Sequence, residues 1–275
     1  MRLTLFLFVF TSLAFAQKTY TKNTFENGNI NSKGWIQNHL KVDYWYFYHK
    51  NGQLAKRGLF KNGKKHGFWQ YYNTNGTIES HGHFNNGLKT NYWKTYKNNK
   101  LAEEGNYSNG KRSKYWKFYY PNGRLKEKGH YNNGLKTAYW KAYFNNGKLA
   151  NEGEFINGKH SGFWRFFYKN GKIEKVGDYK LGKLSSYWQF YSENGLKTSE
   201  GHFVNGEKDN WWLFYDENEK INHKCQLTNN KKNGYCLMYK NEELVSAAKY
   251  SKGKKLKVWT DLKSFKRDNK LSDLK

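Results

Sequence analysis

The sequence predicts an all-β fold, an elongated solenoid-like array of antiparallel β-hairpins of about 24 residues each. Three observations predict it. A phrase opening on tryptophan recurs every 24 residues, sometimes 23, at Trp45, Trp69, Trp93, Trp116, Trp140, Trp164, Trp188 and Trp212. Each phrase holds turn signals: Asn51-Gly52, Asn75-Gly76, Asn122-Gly123, Asn146-Gly147, Asn170-Gly171 and Asn194-Gly195, then a second Asn-Gly ending at Gly63, Gly87, Gly110, Gly134, Gly158 and Gly206, with Leu181-Gly182 as a variant. One proline, 26 glycines and 19% aromatic residues suit short strands joined by glycine turns. A fixed period in this range marks a repeat array.

Within one repeat, Asn-Gly between alternating runs signals a hairpin, since a type I′ turn needs positive φ at both central residues. Centred on Asn122-Gly123, the hairpin pairs Tyr120 with Leu125, Phe118 with Glu127 and Trp116 with Gly129; Trp45 meets Gly58 in the same way. A glycine opposite each tryptophan leaves a gap that an indole can cross, so Trp and Gly form one packing device. Alternation puts Trp116, Phe118, Leu125, Gly129 and Tyr131 on the core face and Lys117, Tyr119, Lys128 and His130 on the other. One hairpin is marginal in water, so neighbours must bury the ring face together.

In chain order, residues 1–16 carry one basic residue, an apolar run and Ala14-Phe15-Ala16, as a cleaved secretory signal peptide does. The run is too short to span a membrane as a helix, and position 17 is not cysteine, so no lipid anchor is indicated. The expected mature chain is exported, periplasmic or secreted, without a transmembrane segment. Residues 17–258 hold ten units. In the first, Thr21 replaces Trp; in the last, Cys236 takes a Trp slot while Cys225 and Ala248 take Gly slots, as capping units of arrays do. Residues 259–275 lose the pattern and read as a polar C-terminal tail or short helix.

The formal net charge is +27, or +26 without Arg2. Lys64, Lys65, Lys89, Lys111, Arg112, Lys136, Lys159, Lys183, Lys208, Lys231 and Lys232 follow the second turns, which predicts a cationic row along one edge. Such a row attracts anionic surfaces or protects an edge from aggregation. Glu103, Glu127, Glu152 and Glu200 occupy repeating strand slots, as solvated faces do. His83, His130 and His202 share a slot but stand roughly 20 Å or more apart, too far for a common metal. No P-loop, dinucleotide, G-x-S-x-G or H-E-x-x-H fingerprint is present, so no catalytic residue and no cofactor is expected.

Two features carry candidate chemistry. Tyr48, Tyr72, Tyr96, Tyr119, Tyr143, Tyr191 and Tyr215, with Phe167 once, stand three residues after each Trp, on the face away from it. Beside them stand Lys94, Lys117, Lys141 and Arg165. Exposed rings flanked by cations can stack on sugars or grip an acidic partner; the same rings can instead pack as a second thin layer. Cys225 and Cys236 share a face on consecutive strands, so in an exported chain they can pair as a disulfide or sit as two small buried fillers.

The phrase W-x-x-Y-Y-x-N-G-x-L-x-x-x-G-x-Y-x-N-G-K, over about residues 21–258, resembles the variant MORN repeat of bacterial proteins often labelled YwqK-type antitoxins. The resemblance implies hairpin arrays used for binding, with no catalytic residues, and in antitoxin members a toxin protein as partner. The signal peptide departs from a cytoplasmic antitoxin. Two partner classes are therefore expected: a protein, such as a toxin, or an anionic envelope component (peptidoglycan, polysaccharide or lipid). Export argues against nucleic acid.

Overall fold

A computed structural model gives the structure of the protein and describes residues 17–270; the expected signal peptide lies outside the described residues. The chain forms two units, up to Asn99 and from Lys100. Among the described residues the first unit holds seven strands, from Thr19–Thr24 to Leu88–Lys97. Each pairs antiparallel with its chain neighbours. The second holds fourteen, from Lys100–Ser108 to Lys254–Trp259, paired in the same manner, and then the helix Leu262–Asp268. The all-β repeat array expected from the sequence is what the chain folds into.

The two turn signals of each repeat make different turns. At the second, Asn133 and Gly134 have φ of 49° and 84°, and Asn132 pairs with Leu135 across them. This is the two-residue hairpin that needs left-handed backbone at both positions, which Asn and Gly tolerate. At the first, only Gly123 is left-handed, with φ of 85°. Gly123 N donates to Tyr120 O and Tyr120 N to Arg124 O, both at 2.8 Å. That is a three-residue loop, a β-turn with a glycine bulge, and not the two-residue turn expected. The ladder consequently places Leu125 opposite Tyr119 rather than Tyr120, while Phe118–Glu127 and Trp116–Gly129 pair as expected. Asn122 serves another purpose there. Its Oδ1 accepts from Arg124 N at 3.0 Å and its Nδ2 donates to Asn145 O of the next repeat at 3.2 Å. Asn51, Asn146 and Asn170 make the same clamp to Thr74, Lys169 and Glu193.

One face is closed by rings. In the second unit, edge-on contacts run without a break through Tyr107, Trp116, Tyr131, Trp140, Phe155, Trp164, Tyr179, Trp188, Phe203 and Trp212, with centroids 5.0–6.2 Å apart. The first unit has Trp45, Phe60, Trp69, Phe84 and Trp93 in the same arrangement. Trp45, Trp69, Trp188 and Trp212 are wholly shielded from solvent. Each such ring pair contributes roughly 0.5–1.5 kcal/mol beyond burial.

The glycine device exists, but with a different glycine. Trp116 is ladder partner to both Gly105 and Gly129, and its indole lies on Gly105, the earlier one. A Cβ on Gly105 would stand 2.3 Å from Trp116 Cδ2, and one on Gly129 would stand 2.2 Å from Trp140 Cδ2. A bulge causes this. Gly105 pairs with Trp116 but Asn106 pairs with Ser113, so Lys114 and Tyr115 are extra, and Lys114 is left-handed with φ of 57°. The bulge takes the Asn106 carbonyl out of the ladder. The Trp116 indole N–H then donates to it at 2.9 Å. The same bond recurs, always to the residue ten earlier, for Trp45, Trp69, Trp93, Trp140, Trp164, Trp188 and Trp212.

At the C-terminal end Cys225 stands opposite Cys236, and the two form a disulfide across a sequence separation of 11. Elsewhere the same two slots hold a glycine and the indole lying on it. Residues 259–270 are more than a solvated tail: Asp261 caps the helix, accepting from Ser264 N. Phe265 is buried against Tyr235 and Trp259.

Candidate binding faces

The expected lysine row divides in two. Lys64, Lys111, Lys159, Lys183 and Lys231 are exposed at the turn edge. Their neighbours fold back over the ring face: Lys41, Lys65, Lys89, Arg112, Lys136 and Lys208 lie 3.9–4.8 Å from the indole centroids of Trp45, Trp69, Trp93, Trp116, Trp140 and Trp212. These are cation–π lids. Burial lowers the Lys208 ammonium below its ordinary value.

On the opposite face the tyrosine column is half-buried throughout, and polar groups hold it. Tyr119 donates to Glu104 at 2.6 Å, Tyr191 to Gln189 at 3.1 Å, and Tyr215 to Glu200. Tyr96 meets His81 at 3.5 Å. Lys128 lies over Tyr143 and Lys33 over Tyr48. Tyr72 stands opposite Ile78. Of the cations named from sequence, Lys141 and Arg165 converge on Glu152 at 3.1 and 2.5 Å, and Lys117 sits in the ladder between Glu104 and Lys128. Lys94 stands opposite His81.

Two acids expected on a solvated face are buried instead: Glu152 is 3% exposed and Glu200 is 7% exposed. Burial pushes the Glu200 carboxyl up, but donation from Lys197, Tyr215, Gln189 and Tyr187 outweighs it and holds it at about 2. Burial and the Glu200 charge push the Tyr187 phenol up to about 12. Glu152 likewise stays below the usual range, burial being overcome by Lys141, Tyr139 and Arg165. Glu103 and Glu127 lie on the ring face, paired with Arg112 and Lys136 at 2.7 and 2.6 Å.

The more exposed rings of the repeats form a row that sequence reading missed, the residue before seven of the repeat tryptophans. Tyr44, Phe68 and Tyr92 in the first unit, and Tyr115, Tyr139, Phe163 and Tyr187 in the second, are 37–56% exposed. They sit in the bulge, which explains their exposure. Phe68, Tyr115 and Tyr187 rest on His83, His130 and His202, with centroids 5.0–5.2 Å apart. The signal was available: that slot is aromatic in every complete repeat. Two strands per repeat at about 4.8 Å spacing set successive rings of a unit roughly 10 Å apart. Among the described residues no group of three or more His, Cys, Asp or Glu could hold a metal, and no helix is long and apolar enough to cross a membrane.

Fold and faces together define an all-β hairpin-repeat protein with one face sealed by rings and the other set with exposed aromatics among cations. Residues 44–62, 65–86, 114–133, 136–157 and 162–181 match the MORN repeat variant, so these five segments are repeats of that type. No curated protein matches the chain. Solved structures similar to it include the TcdB2-TccC3-TEV crystal structure, at 12% identity over 83% of this chain and 15% of that chain, with a TM-score of 0.19. The TcdB2-TccC3-Cdc42 crystal structure is 13% identical over 83% of this chain and 14% of that one, also at 0.19. A Photorhabdus luminescens Tc holotoxin pore structure is 11% identical over 83% and 15%, again at 0.19. This chain spans about 15% of the length of such chains, and a likeness at that score carries no weight for fold or function.

Proposed function

We propose that the protein is an exported, non-catalytic scaffold that binds a protein partner through exposed rings on each unit: Tyr44, Phe68 and Tyr92 on the first, and Tyr115, Tyr139, Phe163 and Tyr187 on the second. The observation that carries this reading is the exposure of that row, 37–56% for each ring. Large rings left open at fixed spacing are uncommon on a surface with no partner, and rigid aromatic rings supply contact area at low entropic cost. The tyrosine column behind them, with Lys94, Lys117, Lys141 and Arg165, supports the row and supplies its charge. A toxin is the partner class that the antitoxin-type resemblance brings to this face, and export places the encounter outside the cytoplasm.

The test is affinity capture from native envelope and culture fluid with the mature chain and with a Tyr139→Ser, Phe163→Ser variant, at low and high salt. One protein retained at high salt by the parent and lost by the variant supports the reading. Recovery of polysaccharide or lipid alone, released as salt rises, would replace it with charge-driven binding to an envelope polymer.

A further inference from the structure

We propose that Lys56, Lys65 and Tyr71, on the ring face of the first unit, form a binding site for a carboxylate supplied from outside the chain, an Asp or Glu side chain of an acidic peptide segment. The repeats serve as one another's controls. One slot lies two residues before the glycine and another four before the tryptophan, and where these hold Glu103 and Arg112 the chain closes an ion pair of 2.7 Å. Glu127 and Lys136 close one of 2.6 Å in the next repeat. The same two slots around Gly58 and Trp69 hold Lys56 and Lys65. Here the chain keeps the cation and puts a second cation where the acid belongs.

A second departure falls at the same place. Tyr71 stands directly opposite Lys56 in the ladder, in a slot that holds Phe47, Phe118, Phe166, Phe190 and Phe214 in other repeats. Lys65 Nζ donates to its hydroxyl at 2.7 Å. The floor beneath is aromatic: Lys56 lies 4.9 Å from the Phe47 centroid and Lys65 lies 4.8 Å from that of Trp69. Lys41 also lies 4.9 Å from Phe47. Among the described residues no carboxylate pairs with Lys41, Lys56 or Lys65. Burial first, then the charges of Lys56 and Lys89, bring the Lys65 ammonium down to about 8.

An incoming carboxylate would accept from both ammonium groups and the phenol, above rings that exclude water from below. Its chemistry is chosen by the chain itself, which fills the Lys56 slot with a carboxylate in two other repeats, as Glu103 and Glu127. The site is on the side opposite the exposed aromatic row, so it stands or falls independently of the proposed partner-binding face.

The experiment follows lysine side-chain NMR signals of the full mature chain during titration with acetyl-triglutamate amide at constant ionic strength. Acetyl-triglutamine amide is the control. The glutamate peptide should move the Lys56 and Lys65 signals and the control should not. Lys56→Glu, which installs the pairing seen at Glu103–Arg112, should keep the fold and weaken the peptide by about tenfold or more, the worth of a charge-assisted contact. Lys56→Ser, the residue this slot holds at Ser80 and Ser199, should weaken it in the same direction and covers the case of a Lys56→Glu chain that does not fold. Undiminished binding by either folded variant, equal binding of the glutamine control, or unmoved Lys65 signals would overturn the proposal.

Discussion

Phe163 and Trp164 are neighbours in sequence and opposites in structure. Trp164 is 1% exposed, with a glycine beneath it, a carbonyl on its indole N–H and rings on both sides. Phe163 is 56% exposed. The same contrast runs along each unit, and it separates two jobs. The ring face repeats with little variation because every indole needs the same glycine, bulge and carbonyl. The opposite face varies, with Gln70, Lys94, Lys117, Lys141, Arg165 and Gln189 taking turns in one slot, because the ring stack does not dictate that choice.

The largest effects should follow from breaking the ring face. Gly153→Ala puts a methyl 2.3 Å from the Trp164 indole, and Trp164→Ala empties the stack. Each should lower stability by about 3 kcal/mol or more, read as the midpoint of urea unfolding followed by tryptophan fluorescence. Cys225→Ser with Cys236→Ser removes the device that stands in for Trp on Gly at the end of the array. It should cost about 2–3 kcal/mol, concentrated in the C-terminal repeats and visible in their amide exchange.

Acid should sharpen the contrast next. The folded Glu200 carboxyl is held at about 2 against an ordinary 4.5, so the folded state binds its proton less readily than the unfolded chain. The stability this contributes is complete above about 4.5 and is lost as pH falls from there towards about 2. Glu200→Gln should flatten that part of the pH–stability curve. A smaller effect separates the two turns: Asn133→Ala forces a left-handed alanine and should cost about 1–2 kcal/mol. Asn122→Ala removes a clamp to the next repeat and should cost about 1 kcal/mol.

Much of this was legible in the sequence, and what was not has physical causes. Period, strand pairing and the Trp–Gly partnership follow from repetition and two-residue alternation. Which glycine the indole covers does not, since Trp116 has one on each side and only the bulge chooses. The bulge itself was hidden because its left-handed slot holds Asp43, Lys114, Ala138 and Ser186 as well as Gly67 and Gly162. Asn-Gly also reads alike in both turns, although in one it supplies backbone freedom and in the other a side-chain clamp. The buried Glu152 and Glu200 that hold the neighbourhood of the tyrosine column looked like solvated acids. Alternation assigns a face; it does not say how deep a side chain lies on it.

The central claim is that one face builds the molecule and the other is free to bind. Comparing Phe163→Ser with Trp164→Ala, in urea unfolding and in partner capture from the same preparation, tests it most directly. The account predicts that Phe163→Ser shifts stability by less than about 0.5 kcal/mol and weakens capture, while Trp164→Ala collapses the fold around it. A Phe163→Ser chain as destabilised as Trp164→Ala would contradict it, because the exposed row would then be part of the core.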